Sequence, residues 1–166
     1  MLPEIKHILY ATDLDSGAPR VFRYALKLAR EHHAGITILH VLEPLGTFAQ
    51  SLVELHVAHA ETERLHEEAR EKVRQTIDRR LSELCEAEQC QGADGRELVS
   101  EVRVIEGQPA EAILSTANSI KADLIVMGSH RHSALGDALL GGTANKVLHR
   151  SEAPVLLVKM NVSATK

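Results

Sequence analysis

The sequence predicts an α/β fold in which a five-stranded parallel sheet is doubly wound, with helices on both faces, as in Rossmann-like domains. Short apolar segments rich in β-branched residues alternate along the chain with longer segments of helical periodicity. The first strand, helix and strand fit a βαβ unit, whose two strands pair in parallel. The strands are also nearly continuous apolar runs, as expected of strands that are buried on both faces.

The first βαβ unit occupies the N-terminal part of the chain. Its strands are predicted at Lys6–Ala11 and Ile36–Val41, both apolar runs. Between them, a helix opens near Ser16 and repeats its apolar residues at the spacing of a single helix face. We expect Gly35 to cap this helix, because glycine is the residue most often found just beyond a helix end.

A long polar segment separates this unit from the rest of the sheet. Residues from about Phe48 to Glu88 contain no Pro or Gly and carry a helical stripe, which predicts one extended helix or two with a break near the start. The later elements are predicted in this order: a strand at Val99–Ile105, a helix from Pro109, a strand at Asp123–Met127, a helix at Thr143–His149 and a strand at Ala153–Val158.

Length and composition restrict the possible functions. The 166 residues fit one domain, predicted at residues 1–160 with a C-terminal tail at 161–166. A net charge of −4 and an aromatic content of 2% argue against a nucleic-acid partner. No apolar run reaches the ~18 residues of a membrane span. Two cysteines outside any C-x-x-C pair and the lack of a signal-peptide pattern at the N-terminus lead us to expect a cytoplasmic protein.

Open α/β sheets bind ligands at the carboxyl ends of their strands, which directs attention to three loops. They begin at Thr12-Asp13, at Val41 and at Gly128. In the third loop, Gly141-Gly142 precede a helix whose first amides suit a phosphate. Thr143 is expected to cap that helix or to contact a phosphate through its hydroxyl. The alternative is a glycine-rich turn that only caps the helix, since a glycine loop alone is weak evidence for a phosphate site. Neither a P-loop nor a G-x-G-x-x-G motif is present.

Several motifs together make the sequence resemble the universal stress protein family. The ATP-binding members of that family carry G-x-x-G, nine residues and then G-[ST] after the fourth strand. Here Gly128–Arg131 is followed by nine residues and then Gly141–Thr143. The resemblance extends over nearly the whole chain, through Ile8–Asp13, Leu39–Val41, Ala144–Leu148 and Pro154–Val158. It implies a sheet of the adenine nucleotide alpha hydrolase type, which is Rossmann-like.

The resemblance also implies a role for individual residues at the nucleoside. Asp13 would contact the adenosine, and the backbone of Val41 would pair with the adenine edge. Met127 and Gly128 would line the ribose. Ala11, Thr12 and Ala144 complete the implied set of nucleotide-binding residues.

At the phosphates, the resemblance implies that His130 and Arg131 lie along the chain of phosphates while Gly141, Gly142 and Thr143 cradle it. Two positions depart from the family motif, because Arg131 replaces its second glycine and Gly142 replaces its Ser or Thr. The guanidinium of Arg131 would either block the close approach of backbone or bind phosphate itself. We favour binding with altered geometry.

These observations predict a nucleotide-binding regulatory protein of the stress response that presents an ordered surface to an unknown protein partner. The expected ligand is ATP, alone or with Mg²⁺ or Mn²⁺, and AMP or ADP are further candidates. A homodimer is expected through the last strand, Pro154–Val158, which would otherwise leave an apolar sheet edge exposed. The alternatives are a slow ATP hydrolase and a partner-binding scaffold with an empty site.

A metal site on the long helix is a weaker hypothesis. His56 and His59 are i, i+3 neighbours that could hold a metal together with Glu63. The sequence offers no obvious third ligand nearby, so we interpret these histidines as solvent-exposed and predict no metal site.

Overall fold

The computed structural model describes residues 2–44, 59–87, 97–129 and 141–160, and it contains a parallel sheet of five strands in the order β3-β2-β1-β4-β5. The strands are β1 (His7–Ala11), β2 (Gly35–Leu42), β3 (Val99–Glu106), β4 (Leu124–Ser129) and β5 (Val155–Lys159). The helices are α1 (Ala18–His32), α2 (His59–Ala87), α3 (Pro109–Ile120) and α4 (Gly142–Arg150).

The sheet carries a buried apolar layer on each of its faces. One layer joins the even-numbered residues of β1 and β2, such as Tyr10 and Ile38, to α1 and α2. The other joins their odd-numbered residues, such as Leu9 and Leu39, to α3 and α4. This follows from the alternation of side chains along a strand. The prediction of a doubly wound five-stranded parallel sheet is therefore confirmed.

The strand order places a reversal at the centre of the sheet. The chain moves outward from β1 to β2 and β3, and then returns across β1 to form β4 and β5 on the other side. The connections that leave β1 and β4 consequently run in opposite directions. This opens a crevice between the carboxyl ends of these two strands.

The end of α1 corrects one expectation from the sequence, because Gly35 does not cap this helix. His33 takes the left-handed conformation there, with a φ of 53°, and its amide donates back to α1. Gly35 is instead the first residue of β2, and its amide donates to the carbonyl oxygen of Lys6. A Cβ at this position would lie 2.4 Å from Oγ of Ser100 on β3, so a larger residue would require the serine side chain to move.

The start of α4 corrects a second expectation, that Thr143 is a helix cap. The N-cap residue is Gly141, and Thr143 lies within the first turn of a helix that begins at Gly142. The hydroxyl of Thr143 is therefore displaced from the cap position, and its other predicted role, contact with a phosphate, stays a prediction.

The described part of α2 begins at His59. The break that was predicted near the start of this helix therefore lies outside the described residues. Its exposed face carries ion pairs at i, i+3 and i, i+4 spacing, such as Arg64 with Glu61 and Arg79 with Glu83. None of the helices that the structure describes combines the length and the apolar character needed to cross a membrane. The predicted tail at 161–166 is outside the described residues as well.

Candidate functional site

A cavity of about 430 Å³ opens at the carboxyl edge of the sheet, where the strand order reverses between β1 and β4. Residues from the ends of β1, β2 and β4 line it, together with residues from the first turns of α1, α3 and α4. Crevices at such reversals are where open α/β sheets hold their ligands. The cavity is therefore the candidate functional site.

The structure brings together all of the predicted ligand-binding residues that it describes. Ten of them line this one cavity: Ala11, Thr12, Asp13, Val41, Met127, Gly128, Gly141, Gly142, Thr143 and Ala144. His130 and Arg131 lie outside the described residues. That any of these residues contacts a ligand stays a prediction.

Thr12, the first residue after β1, is held by both of its backbone groups. Its amide donates to the carbonyl oxygen of Leu39 at 2.9 Å, which extends the pairing of β1 with β2 by one residue. Its carbonyl oxygen lies 2.8 Å from Nδ1 of the half-buried His40. The backbone that leads into Asp13 is consequently fixed to the edge of β2.

The loop between β1 and α1 is also organised by its own side chains. An amide donates from Leu14 to Oγ1 of Thr12 at 3.1 Å, and another donates from Asp15 to Oδ1 of Asp13 at 3.0 Å. Such bonds from a backbone amide to a side chain two residues earlier replace regular secondary structure in tight turns. The carboxylate of Asp13 is thereby kept close to its own backbone at the rim of the cavity.

Leu14 adopts a conformation that is unusual for a leucine, with a φ of 61°. A non-glycine residue there needs support from its surroundings, because its Cβ crowds the backbone. The support comes from the guanidinium of Arg80 on α2, which donates to the carbonyl oxygen of Leu14. A helix far away in sequence therefore stabilises the loop that borders the cavity.

The first turn of α4 presents backbone donors to the cavity. The amide of Asn145 makes the first bond of the helix, to the carbonyl oxygen of Gly141 at 2.9 Å. The amides of Gly142, Thr143 and Ala144 precede it and have no carbonyl group within the helix to pair with. These amides, together with the partial positive charge of the helix N-terminus, favour an anion.

A buried methionine that follows β5, Met160, also lines the cavity. Met160 is 6% exposed and packs into the core layer that contains α1. A Cβ on Gly128 would lie 2.1 Å from its sulfur atom, and a Cβ on Gly17 would lie 2.7 Å from its Cε. The absence of a side chain at Gly128 therefore makes room for Met160.

Tyr10 lines the cavity from β1 and is buried. Its hydroxyl donates to the carbonyl oxygen of Ala18 at 3.0 Å, which ties the start of α1 to the sheet. Burial raises the pKa of Tyr10 to about 12, so the ring stays neutral at physiological pH and keeps its donor role.

The charged side chains and the unpaired backbone donors of the cavity come from different elements. The acidic side chains of Asp13 and Glu43 lie at the β1 and β2 edge, while the amides of α4 lie on the other side. Apolar side chains such as Ile113 and Met127 also line the cavity. The described part of the lining includes no lysine or arginine, so a hydroxyl-bearing ligand with an anionic end fits this arrangement best.

The predicted set omitted several residues that line the cavity. They are Tyr10, Ala18, Val21, Leu39, His40, Leu42, Glu43, Pro109, Ile113 and Met160. A signal existed for Pro109, which opens the helix after the carboxyl end of β3. Met160 carried no signal, because nothing local indicates that the residue after an edge strand returns beneath the cavity.

No group of three His, Cys, Asp or Glu side chains that could hold a metal ion occurs in the parts of the chain that the structure describes. The hypothetical metal site on the long helix is not tested by this finding, because His56 and the side chain of His59 lie outside the described residues.

Known proteins resemble this chain along nearly its whole length. A structure of the universal stress protein UspA from Lactobacillus plantarum superposes with a TM-score of 0.68 and 21% identity, covering 95% of this chain and 99% of that one. A crystal structure of a universal stress protein in complex with cAMP gives a TM-score of 0.58 and 21% identity, with coverage of 94% and 98%. At these identities the structures support the fold.

Sequence relatives show the family as well as the fold. "Universal stress protein in QAH/OAS sulfhydrylase 3'region" of Thermus aquaticus is 35% identical over 154 residues, which are 93% of this chain and 98% of that protein. The model of the universal stress protein family matches residues 4–159. This match includes every described strand and helix, together with the whole described lining of the cavity except Met160. The chain therefore belongs to the universal stress protein family.

Proposed function

We propose that this protein binds ATP or a related adenine nucleotide in the cavity at the β1–β4 crevice and acts as a regulator in the stress response. The observation that carries the proposal is that one cavity of about 430 Å³ gathers all ten of the predicted ligand-binding residues within the described part of the chain. This volume falls in the range of about 300–1,000 Å³ that is typical of small-molecule sites.

The nucleoside belongs at the β1 and β2 side of the cavity. The carboxylate of Asp13 suits the hydroxyl groups of a ribose, since an ionised carboxylate only accepts hydrogen bonds. Val41 lies in the half-buried end of β2 and lines the cavity, where its backbone can face the edge of a base. Ile113 and Met127 supply apolar contact surface for the rings.

The phosphates belong at the first turn of α4. Its amides and the hydroxyl of Thr143 supply donors, and the helix N-terminus favours negative charge. Since the described lining holds two carboxylates, Asp13 and Glu43, and no cation, we assign the principal positive charge to Arg131, with His130 beside it. Arg131 then takes over the role that backbone performs in relatives with a second glycine.

A structurally similar universal stress protein was solved in complex with cAMP, so a cyclic nucleotide should be included among the ligands tested here. ATP, ADP, AMP, adenosine and cAMP should be compared, each with and without Mg²⁺ or Mn²⁺. We expect the triphosphate to bind most tightly, because it brings the most negative charge to the amides at the start of α4.

The test of the site is calorimetric titration of the purified protein, together with chemical identification of any nucleotide released by heating. Asp13→Ala should weaken ATP and adenosine alike, and exposed Glu152→Ala should leave both affinities unchanged. A parent protein that neither carries nor binds an adenine nucleotide would contradict the proposal and favour a scaffold with an empty site.

Arg131 has its own test. Arg131→Ala should weaken ATP by about tenfold or more and adenosine hardly at all, because charge-assisted bonds from arginine to phosphate are strong. An equal loss for both ligands would show that Arg131 does not act on the phosphates.

We further propose that the protein is a cytoplasmic homodimer formed along β5, whose nucleotide-bound form is recognised by a protein partner. β5 is an edge strand, and Val155, Leu156 and Leu157 on it are only half-buried. Pairing with the same strand of a second copy would cover that edge around a two-fold axis. A monomer that persists at all concentrations in analytical ultracentrifugation would contradict the dimer.

A slow ATP hydrolase is the second candidate. The observation that favours it is the presence of the Asp13 and Glu43 carboxylates in one cavity, since oxygen ligands of this kind suit Mg²⁺. Turnover of the parent should then exceed that of Asp13→Ala at saturating ATP. Equal rates would assign any residual hydrolysis to a contaminant and leave binding as the function.

A further inference from the structure

We propose that His40 is a positioning residue for the nucleotide: its ring holds the carbonyl group of Thr12 and thereby sets the direction in which the next residue, Asp13, enters the cavity. The inference rests on the proposed function, since Asp13 is the residue assigned to the nucleoside. His40 itself was given no role in the predicted site.

The geometry defines which ring nitrogen carries the proton. Nδ1 of His40 lies 2.8 Å from the carbonyl oxygen of Thr12, and a carbonyl oxygen can only accept. The proton must therefore sit on Nδ1, whereas a neutral histidine in water carries it mainly on Nε2. The hydrogen bond selects the tautomer, as it does for histidines with a fixed role.

Thr12 is the point at which β1 stops being a strand. Its amide is bound to Leu39 and its carbonyl group to His40, so two consecutive residues of β2 hold both sides of the same residue. The peptide groups before and after Thr12 are each held by one of these bonds, and neither can rotate without breaking its bond. The Cα atom of Asp13 is consequently fixed relative to the sheet.

The far side of the loop is anchored separately. Arg80 donates to the carbonyl oxygen of Leu14, at the residue with a φ of 61°. Asp13 therefore lies between one carbonyl group held by β2 and another held by α2. A binding loop that is ordered before its ligand arrives does not have to be ordered by it, which raises affinity.

His40 and Arg80 differ in their position relative to the cavity. Among the described residues, His40 lines the main cavity and Arg80 lines a small apolar gap behind the loop. A direct contact of the His40 ring with the ligand is the competing explanation, and the experiment has to distinguish it from positioning.

The first measurement is the tautomer, which needs no ligand. A long-range ¹H–¹⁵N spectrum of the labelled protein should show that the neutral ring of His40 is protonated on Nδ1. A spectrum with the proton on Nε2 would overturn the proposal, because the bond to Thr12 would then be impossible.

The second measurement uses two substitutions at His40 and calorimetric affinities for ATP and adenosine. His40→Asn places an amide N–H close to the position of Nδ1, so affinity should stay within about threefold of the parent. His40→Leu removes the donor and leaves the carbonyl group of Thr12 unpaired, so both ligands should weaken by about tenfold. The matched controls, His149→Asn and His149→Leu at an exposed position of α4, should change neither affinity.

The pattern of loss decides the interpretation. Equal weakening in His40→Asn and His40→Leu would overturn positioning in favour of direct contact by the ring, and parental affinity in His40→Leu would overturn any role. A loss for ATP without a loss for adenosine would also overturn it, because Asp13 is assigned to the nucleoside. Should His40→Leu fail to fold, the tautomer and His40→Asn still decide, since an affinity of His40→Asn more than about threefold below the parent would overturn the proposal. A parent that binds neither ligand while showing the Nδ1 tautomer would instead refute the proposed function.

Discussion

The neighbouring strands β1 and β4 have different surroundings at the two ends of the sheet. At the amino end, Oδ2 of Asp123 accepts the amides of Lys6 at 2.8 Å and His7 at 2.9 Å, and the amide of Asp123 donates to the carbonyl oxygen of His7. At the carboxyl end the strands border a cavity of about 430 Å³. Because β1 and β4 pair from Ile8 with Leu124 to Ala11 with Met127, the bonds of Asp123 extend this pairing at the amino end, and the cavity lies beyond it at the carboxyl end. The amino end is therefore closed by Asp123, and the carboxyl end is open to a ligand.

The largest effect is expected from adding a methyl group at the open end. Gly128→Ala should lower the free energy of unfolding by about 2 kcal/mol, because its Cβ would overlap the sulfur atom of Met160. The displaced methionine would enter the cavity, so affinity for ATP should fall too. Urea unfolding and calorimetry measure the two effects.

Gly142→Ala is the matched control, since it adds the same methyl group to another glycine of the cavity lining. A Cβ there meets nothing within 4 Å, and the residue lies in a helix, so stability should be equal or slightly higher. In a double-mutant cycle, Met160→Ala should absorb much of the cost of Gly128→Ala. Simple additivity of the two substitutions would show that Met160 is not the reason for the glycine.

The next largest effect is expected at the closed end. Asp123→Ala leaves the amides of Lys6 and His7 without their acceptor and should lower the free energy of unfolding by about 1.5 kcal/mol. Because this end lies away from the cavity, affinity for ATP should stay at the parental value. Asp123→Asn keeps one acceptor oxygen and should recover part of the loss. A loss of affinity in Asp123→Ala that exceeds the loss from Gly128→Ala would reverse the comparison between the two ends.

The closed end should also depend on pH. Burial acts to raise the pKa of Asp123, but the amide bonds from Lys6 and His7 outweigh it, and the pKa of this carboxyl is lowered from its usual value of 3.8. A lowered pKa contributes stability that is present above the value of the unfolded chain and is lost as pH falls through the folded value. The stability difference between the parent and Asp123→Asn should therefore shrink as pH falls from 6 to about 3. A difference that is constant over this range would mean that the carboxylate form is not what holds the end closed.

The strands in this comparison could be predicted from the sequence. The contacts at their ends could not, because a local sequence pattern does not encode them. Apolar runs and helical periodicity predicted every described strand, because burial on two faces leaves a strong local signal. The strand order, and with it the reversal between β1 and β4, was not predicted and comes from the structure. Asp123 gave no signal, since its partners lie 117 and 116 residues away along the chain.

Contacts between distant parts of the chain also explain why the set of site residues was predicted incompletely. Loop positions at strand ends are visible in a sequence, and Asp13 and Gly141 were found in that way. Met160 and Arg80 reach the loop or the cavity from other elements, through packing that only the assembled fold creates. Gly128 was assigned to the ribose from a family resemblance, whereas the structure gives it a second neighbour in Met160.

The smallest effect is expected from an exposed ion pair between α3 and α4, two helices whose first turns line the cavity. Arg150 on α4 donates to Glu111 on α3, and this bond lowers the pKa of the Glu111 carboxyl. Both side chains are more than half exposed, so water and salt screen their attraction. Glu111→Gln should change the unfolding midpoint less than Gly128→Ala or Asp123→Ala does, and the difference should vanish in 1 M NaCl. A large effect that resists salt would mean that α3 and α4 hold the cavity in shape.

The placement of the two tyrosines in a chain without tryptophan has an optical consequence. Tyr10 borders the cavity with its ring 5.4 Å from that of Phe22, and Tyr24 is 47% exposed on the outer side of α1. Replacing Tyr24 with phenylalanine would leave a single intrinsic fluorophore beside the site. Its emission, excited near 280 nm, would then follow occupancy of the cavity without an attached dye.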